Sequence, residues 1–93
     1  MADLIGEGRL DAWLGERAWT LTDGALQRDW TFADFAAALG FVNAVGGLAE
    51  AQGHHPDIEL HDYREVRLRL HTHSAGGVTE NDIELAERVD ELQ

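Results

Sequence analysis

Residues 54–73, from His54 to His73, read HHPDIELHDYREVRLRLHTH, and the fold turns on how this stretch is read. Ile58 and Leu60 alternate with Glu59 and His61, and further on Val66, Leu68 and Leu70 alternate with Arg67, Arg69 and His71. A period of two is the mark of extended chain with one buried and one solvated face. Asp62 to Glu65 breaks the alternation as a bulge or turn, so the stretch forms one bent strand or two short ones. If the second run stays extended, His71 and His73 share its polar face with Arg67 and Arg69.

Upstream, residues 32–52 carry the strongest helical spacing, with Phe35, Leu39, Val42, Gly46 and Ala49 on one stripe and Phe41, Val45 and Leu48 on another. A helix apolar on two sides needs two partners, so one side is expected to cover the sheet and the other to meet a second subunit. Gly40, Gly46 and Gly47 each cost such a helix about 1 kcal/mol relative to alanine, which close backbone packing would offset. Before it, Trp19 and Leu21, then Leu26, Trp30 and Phe32, alternate around Asp23-Gly24, a hairpin with a two-residue turn. Arg28 falls on the apolar side of that hairpin, so that face is either partly open or lets the arginine stem lie along apolar surface. Residues 3–15 predict a short helix interrupted by Gly6 and Gly8.

Downstream, a helix starts at Thr79, where Thr79 and Asp82 resemble a capping box and Ile83, Leu85, Ala86, Val89 and Leu92 form the apolar side. The order helix, hairpin, long helix, strand pair, helix predicts an α+β domain: an antiparallel sheet of about four strands with helices on one face.

Ninety-three residues make one small domain, 1–93, and without cysteine there is neither a disulfide nor a thiolate. Self-association, as a homodimer or homotetramer, is therefore expected. Seven basic residues, all arginine, against eighteen acidic ones give a net charge of −11, which opposes binding to nucleic acid or an anionic membrane. The first ten residues lack a long apolar run, so no signal peptide or membrane span is predicted, and a cytoplasmic location follows by default.

All five histidines lie between Glu50 and Asp82: His54, His55, His61, His71 and His73. For His61 and His71 an ordinary polar role is the better reading. His54 and His55 end a helix beside Pro56, and His73 ends a strand. Glu50 lies four residues before His54, so on a helix its carboxylate reaches that imidazole and orients it. A metal site is disfavoured, because adjacent histidines splay apart and no histidine pair has the helical spacing of metal ligands. Ser74, the only serine, lacks the context of a nucleophile, and Gly76-Gly77 is no phosphate loop.

The set Glu50, His54, His55, Pro56, Tyr63, His73 and Asp82 is similar to the signature of the pterin-4a-carbinolamine dehydratase family. Thr72-His73, Ala75-Gly76-Gly77-Val78-Thr79, Trp30-Thr31-Phe32, Phe35 and Phe41-Val42 also match family positions, so the resemblance covers most of the chain. Ile58 stands where members commonly have tryptophan, and Ser74 where many have an acid. The resemblance implies a lyase, 4a-hydroxytetrahydrobiopterin dehydratase, acting on a small pterin in tetrahydropterin recycling. His54, His55 and His73 would be catalytic, and Glu50, Pro56, Thr72, Ser74 and Asp82 would bind substrate, with no metal and no organic cofactor. It also leaves two alternatives: a dimerisation cofactor for a transcription factor, and a dehydratase-fold protein of molybdopterin metabolism.

Overall fold

The two interrupted strand runs form two hairpins that one helix connects. A computed structural model describes residues 3–92. It contains α1 (Glu7–Leu14), β1 (Thr20–Thr22), β2 (Ala25–Thr31), α2 (Phe35–Gln52), β3 (Asp57–His61), β4 (Glu65–Leu70), a 3₁₀ turn (His73–Ala75) and α3 (Glu80–Asp90). The strands form one antiparallel sheet in the order β1-β2-β4-β3. The expected α+β architecture is therefore present.

Both hairpin turns place two successive residues at positive φ. Asp23 and Gly24 do so at 49° and 79° in the two-residue connection that Asp-Gly predicts. At the second turn Asp62 and Tyr63 sit at 48° and 54°, and the break at 62–65 thus makes two strands rather than one bent strand. A bulky residue such as Tyr63 seldom adopts this conformation, so composition did not announce the turn.

One face of the sheet carries Leu26, Trp30, Val66, Leu68 and Leu70, all buried under the helices. Burying each such side chain contributes about 1.5–3 kcal/mol. From α2 the residues that reach this core are Ala38, Phe41, Val45 and Ala49. Phe41 stacks against Trp30 at 4.7 Å between ring centroids. The stripe of Phe41 and Val45 is therefore the one that covers the sheet, while Phe35 and Leu39 are 50% and 40% exposed. The close packing expected at Gly40, Gly46 and Gly47 is not found: a β-carbon there would meet nothing in the chain within 4 Å. These glycines lie off the strip that faces the sheet.

Helix α3 buries Ile83, Leu85, Ala86 and Val89, whereas Leu92 beyond its end is exposed. Polar contacts fasten α1 to it: Arg9 pairs with Glu80, and the Trp13 indole N–H donates to Glu87. Arg28 spans from the sheet to α3, its guanidinium over the Trp30 ring and 2.7 Å from Asp90. Its charged end thus rests on an aromatic face and a carboxylate together.

The opposite sheet face is a cross-strand ladder between β2 and β4. Gln27 accepts from Arg69, Asp29 pairs with Arg67, and Thr31 donates to Glu65, each pair in direct register. The Arg67 guanidinium, chiefly through its hydrogen bond, holds the Asp29 carboxyl below its ordinary pKa. A lowered folded value means that this stabilisation is present above the unfolded carboxylate pKa and is lost as pH falls through the folded one. Because the pair is exposed, solvent screening keeps its contribution small. Chemical denaturation should show Asp29→Asn slightly less stable than the parent at about pH 7, with the gap narrowing as pH falls through the folded carboxylate's lowered pKa.

Candidate active site

Three chain segments meet at a single buried carboxylate. The first is the end of α2, where Gly53 takes a left-handed conformation with φ 68°. The Gly53 N–H donates to Glu50 O and the His54 N–H to Ala49 O, the two bonds of a Schellman ending. Glycine reaches this conformation without a β-carbon penalty, and the chain turns out of the helix there. Pro56, half-buried, then restricts the backbone between His55 and β3.

The second segment follows β4. Thr72 donates its N–H to Gly77 O at 2.7 Å, and Gly76, at φ 73°, donates to Thr72 O at 2.9 Å. These bonds close a tight loop that carries His73 and Ser74, both exposed. The third is the start of α3, where the predicted capping box forms: Thr79 N–H donates to Asp82 Oδ2 at 2.9 Å, and Asn81 N–H donates to the Thr79 hydroxyl. Gln52 also donates to Asn81 O at 2.7 Å and ties the end of α2 to this helix start.

Asp82 is fully buried, and both of its carboxylate oxygens have hydrogen-bond partners. Its Oδ1 lies 2.5 Å from His54 Nε2, and its Oδ2 accepts from the Thr72 hydroxyl at 2.9 Å as well as from Thr79 N–H. The Thr72 and Thr79 hydroxyls are 2.7 Å apart. These donors occupy both carboxylate oxygens at the start of α3. Capping the helix and orienting an imidazole are thus done by one side chain.

Glu50 does not orient His54. Its carboxylate hydrogen-bonds His55 Nε2 instead, in a pair exposed to solvent. The i, i+4 expectation assumed that the helix continues to His54, but Gly53 ends it, sending His54 inward to Asp82 and bringing His55 back toward Glu50. His71 Nε2 lies 3.2 Å from His73 Nδ1, with the rings edge to face. His73 stands in the 3₁₀ turn rather than at the strand end, one residue after the Thr72 that bonds Asp82. His61 hydrogen-bonds Asp62 at the far end of the β3–β4 hairpin, about 20 Å along the strand from His71.

Thr72, expected to bind substrate, has its hydroxyl turned to Asp82. Thr79 enters the site unforeseen except as a cap, because its neighbourhood to Thr72 depends on the loop bond to Gly77. The arrangement offers one imidazole anchored by a buried carboxylate, one exposed imidazole beside an exposed carboxylate, and a third against another histidine. Such groups give and take protons near neutral pH.

A family model described as pterin 4 alpha carbinolamine dehydratase matches residues 5–92. A protein of Chloroflexus aurantiacus, provisionally named a pterin-4-alpha-carbinolamine dehydratase, is 45% identical over 89 residues, 95% of each chain. The crystal structure of a transcriptional coactivator/pterin dehydratase from Brucella melitensis superposes with a TM-score of 0.88 at 33% identity, covering 96% of this chain and 97% of that one. A pterin dehydratase-like protein identified as a RuBisCO assembly factor in the alpha-carboxysome is similar with a TM-score of 0.69 at 25% identity, over 82% and 89% of the two chains.

The two histidine–carboxylate pairs should respond differently to truncation. Glu50→Ala, at an exposed pair, should change stability by about 0–1 kcal/mol. Asp82→Ala removes both a helix cap and a buried partner, and should cost about 3–5 kcal/mol. Thermal or urea unfolding of the two variants checks this order.

Proposed function

Because this chain belongs to the pterin 4 alpha carbinolamine dehydratase family, we propose that it is a hydro-lyase converting a 4a-hydroxytetrahydropterin to quinonoid dihydropterin and water. His54, His55 and His73 would share the roles of acid, base and substrate clamp. The observation that carries the reading is the anchoring of His54 Nε2 to the buried Asp82. The reaction breaks the C4a–O bond. The departing oxygen takes a proton to leave as water, since hydroxide is a poor leaving group, and a ring nitrogen gives up its proton to a base. Imidazoles, with an unperturbed pKa of about 6.5, suit both transfers near neutral pH.

Glu50, Pro56 and Ser74, each close in sequence to one of these histidines, would help to hold the substrate. The similar solved structures named as a coactivator and as an assembly factor carry binding roles of their own. What favours chemistry here is the family that the chain belongs to. The product would return to tetrahydropterin recycling.

Self-association belongs to the same reading. Along α2, Phe35 and Leu39 are exposed, and Gly40, Asn43, Ala44 and Gly47 continue an uncharged face that small side chains leave open to close approach. A second copy of this chain fits such a face, and β3 leaves one sheet edge unpaired.

Purified protein should dehydrate a 4a-hydroxytetrahydropterin in the presence of a chelator; strict dependence on added metal would contradict the mechanism. At least one of His54→Ala, His55→Ala and His73→Ala should lose ~10²–10⁴-fold in turnover. His61→Ala should remain nearly as active as the parent, and equal activity of His61→Ala and His73→Ala in folded protein would remove the site. Sedimentation at micromolar concentration should show a dimer or larger assembly, with Leu39→Asp shifting it toward monomer if the α2 face is the contact.

A further inference from the structure

The hydrogen bonds around Asp82 have only one consistent direction. Thr79 N–H is a donor and Asp82 Oδ2 its acceptor. The same Oδ2 receives the Thr72 hydroxyl, which spends the single proton of Thr72. The 2.7 Å contact between the hydroxyls must then be made by the Thr79 proton pointing at Thr72 Oγ1, while Thr79 Oγ1 accepts from Asn81 N–H. Each hydroxyl thus donates once and accepts once, in the sequence Thr79 to Thr72 to Asp82.

With two donors on Oδ2 and the α3 N-terminus beside it, the carboxylate is an acceptor on Oδ1 as well. The proton on the 2.5 Å line to His54 therefore belongs to Nε2. Nδ1 of the same ring has no partner among the described residues and is not sealed from solvent. We propose that Thr72 and Thr79 are positioning residues that hold His54 in the Nε2–H tautomer, so that Nδ1 is the atom that exchanges a proton with substrate. This rests on the dehydratase reading for its catalytic consequence, but not for the tautomer.

The test reads both. Nitrogen-15 NMR of the imidazoles in the whole protein should show His54 with a protonated, slowly exchanging Nε2 and a bare Nδ1. Thr72→Val, which keeps the shape and removes the donor, should lose that slow exchange and lower kcat by about 10–100-fold with KM little changed, as expected of a misplaced group. Thr72→Ser should restore both. Retention of the Nε2–H signal and of kcat within about twofold in folded Thr72→Val would overturn the proposal. So would a bare Nε2 in the unmodified protein, a reading that needs no variant to fold. An unmodified protein with the expected Nε2–H signature but no dehydration would overturn the reaction assigned to the site, whereas a bare Nε2 in an active enzyme overturns the positioning chain alone.

Discussion

A carboxylate with no exposure to water is tolerated only if its oxygens are fully occupied, and Asp82 meets that demand by drawing together three segments far apart in sequence. Left without partners, a buried charge costs several kcal/mol, a large fraction of the stability of a small domain. The partners are the first amide of the α3 start, a hydroxyl beyond β4 and an imidazole beyond α2. Where α3 begins, where the loop after β4 closes and where α2 stops are thereby made mutually consistent. Apolar burial decides that the helices cover the sheet; the carboxylate specifies which ends meet.

Local signals were read well where they depend on one or two neighbouring residues. Asp23-Gly24 announced its hairpin turn, Thr79 and Asp82 announced a helix start, and the alternation on either side of residues 62–65 announced strands. Other features depend on contacts of longer range. At Tyr63 the left-handed backbone comes from pairing β3 with β4, since tyrosine has no preference for it. The pairing of Glu50 with His55 rather than His54 follows from a single left-handed glycine, after which helical spacing no longer describes distance. Both stripes of α2 were visible, but only the packed sheet decides that Phe41 and Val45 point inward while Phe35 and Leu39 do not. Thr79 could not be placed beside Thr72 from spacing, because the bond from Thr72 to Gly77 is what folds the loop back.

The charge of the molecule reads in the same terms. Arg9, Arg17, Arg28, Arg64, Arg67 and Arg88 each lie against a carboxylate, and Arg69 donates to Gln27. Cations so dispersed among acidic partners form no basic patch among the described residues, while the remaining acids other than the buried Asp82 lie at the surface. The surface opposes polyanions both by net charge and by the commitment of its arginines.

Gly53 divides two neighbouring, chemically identical side chains between two media. The His54 side chain keeps 14% of its exposure and the His55 side chain 64%. In the proposed reaction the difference is one of proton supply. Water reaches His55 freely, so its proton inventory is reset from bulk solvent between turnovers. The proton on the Asp82 side of His54 is shielded from that exchange, and whatever His54 gives or takes must pass through its other edge, where the substrate would stand. In that reaction a single backbone dihedral would separate a group in equilibrium with the solution from one whose traffic is confined to the reacting molecule.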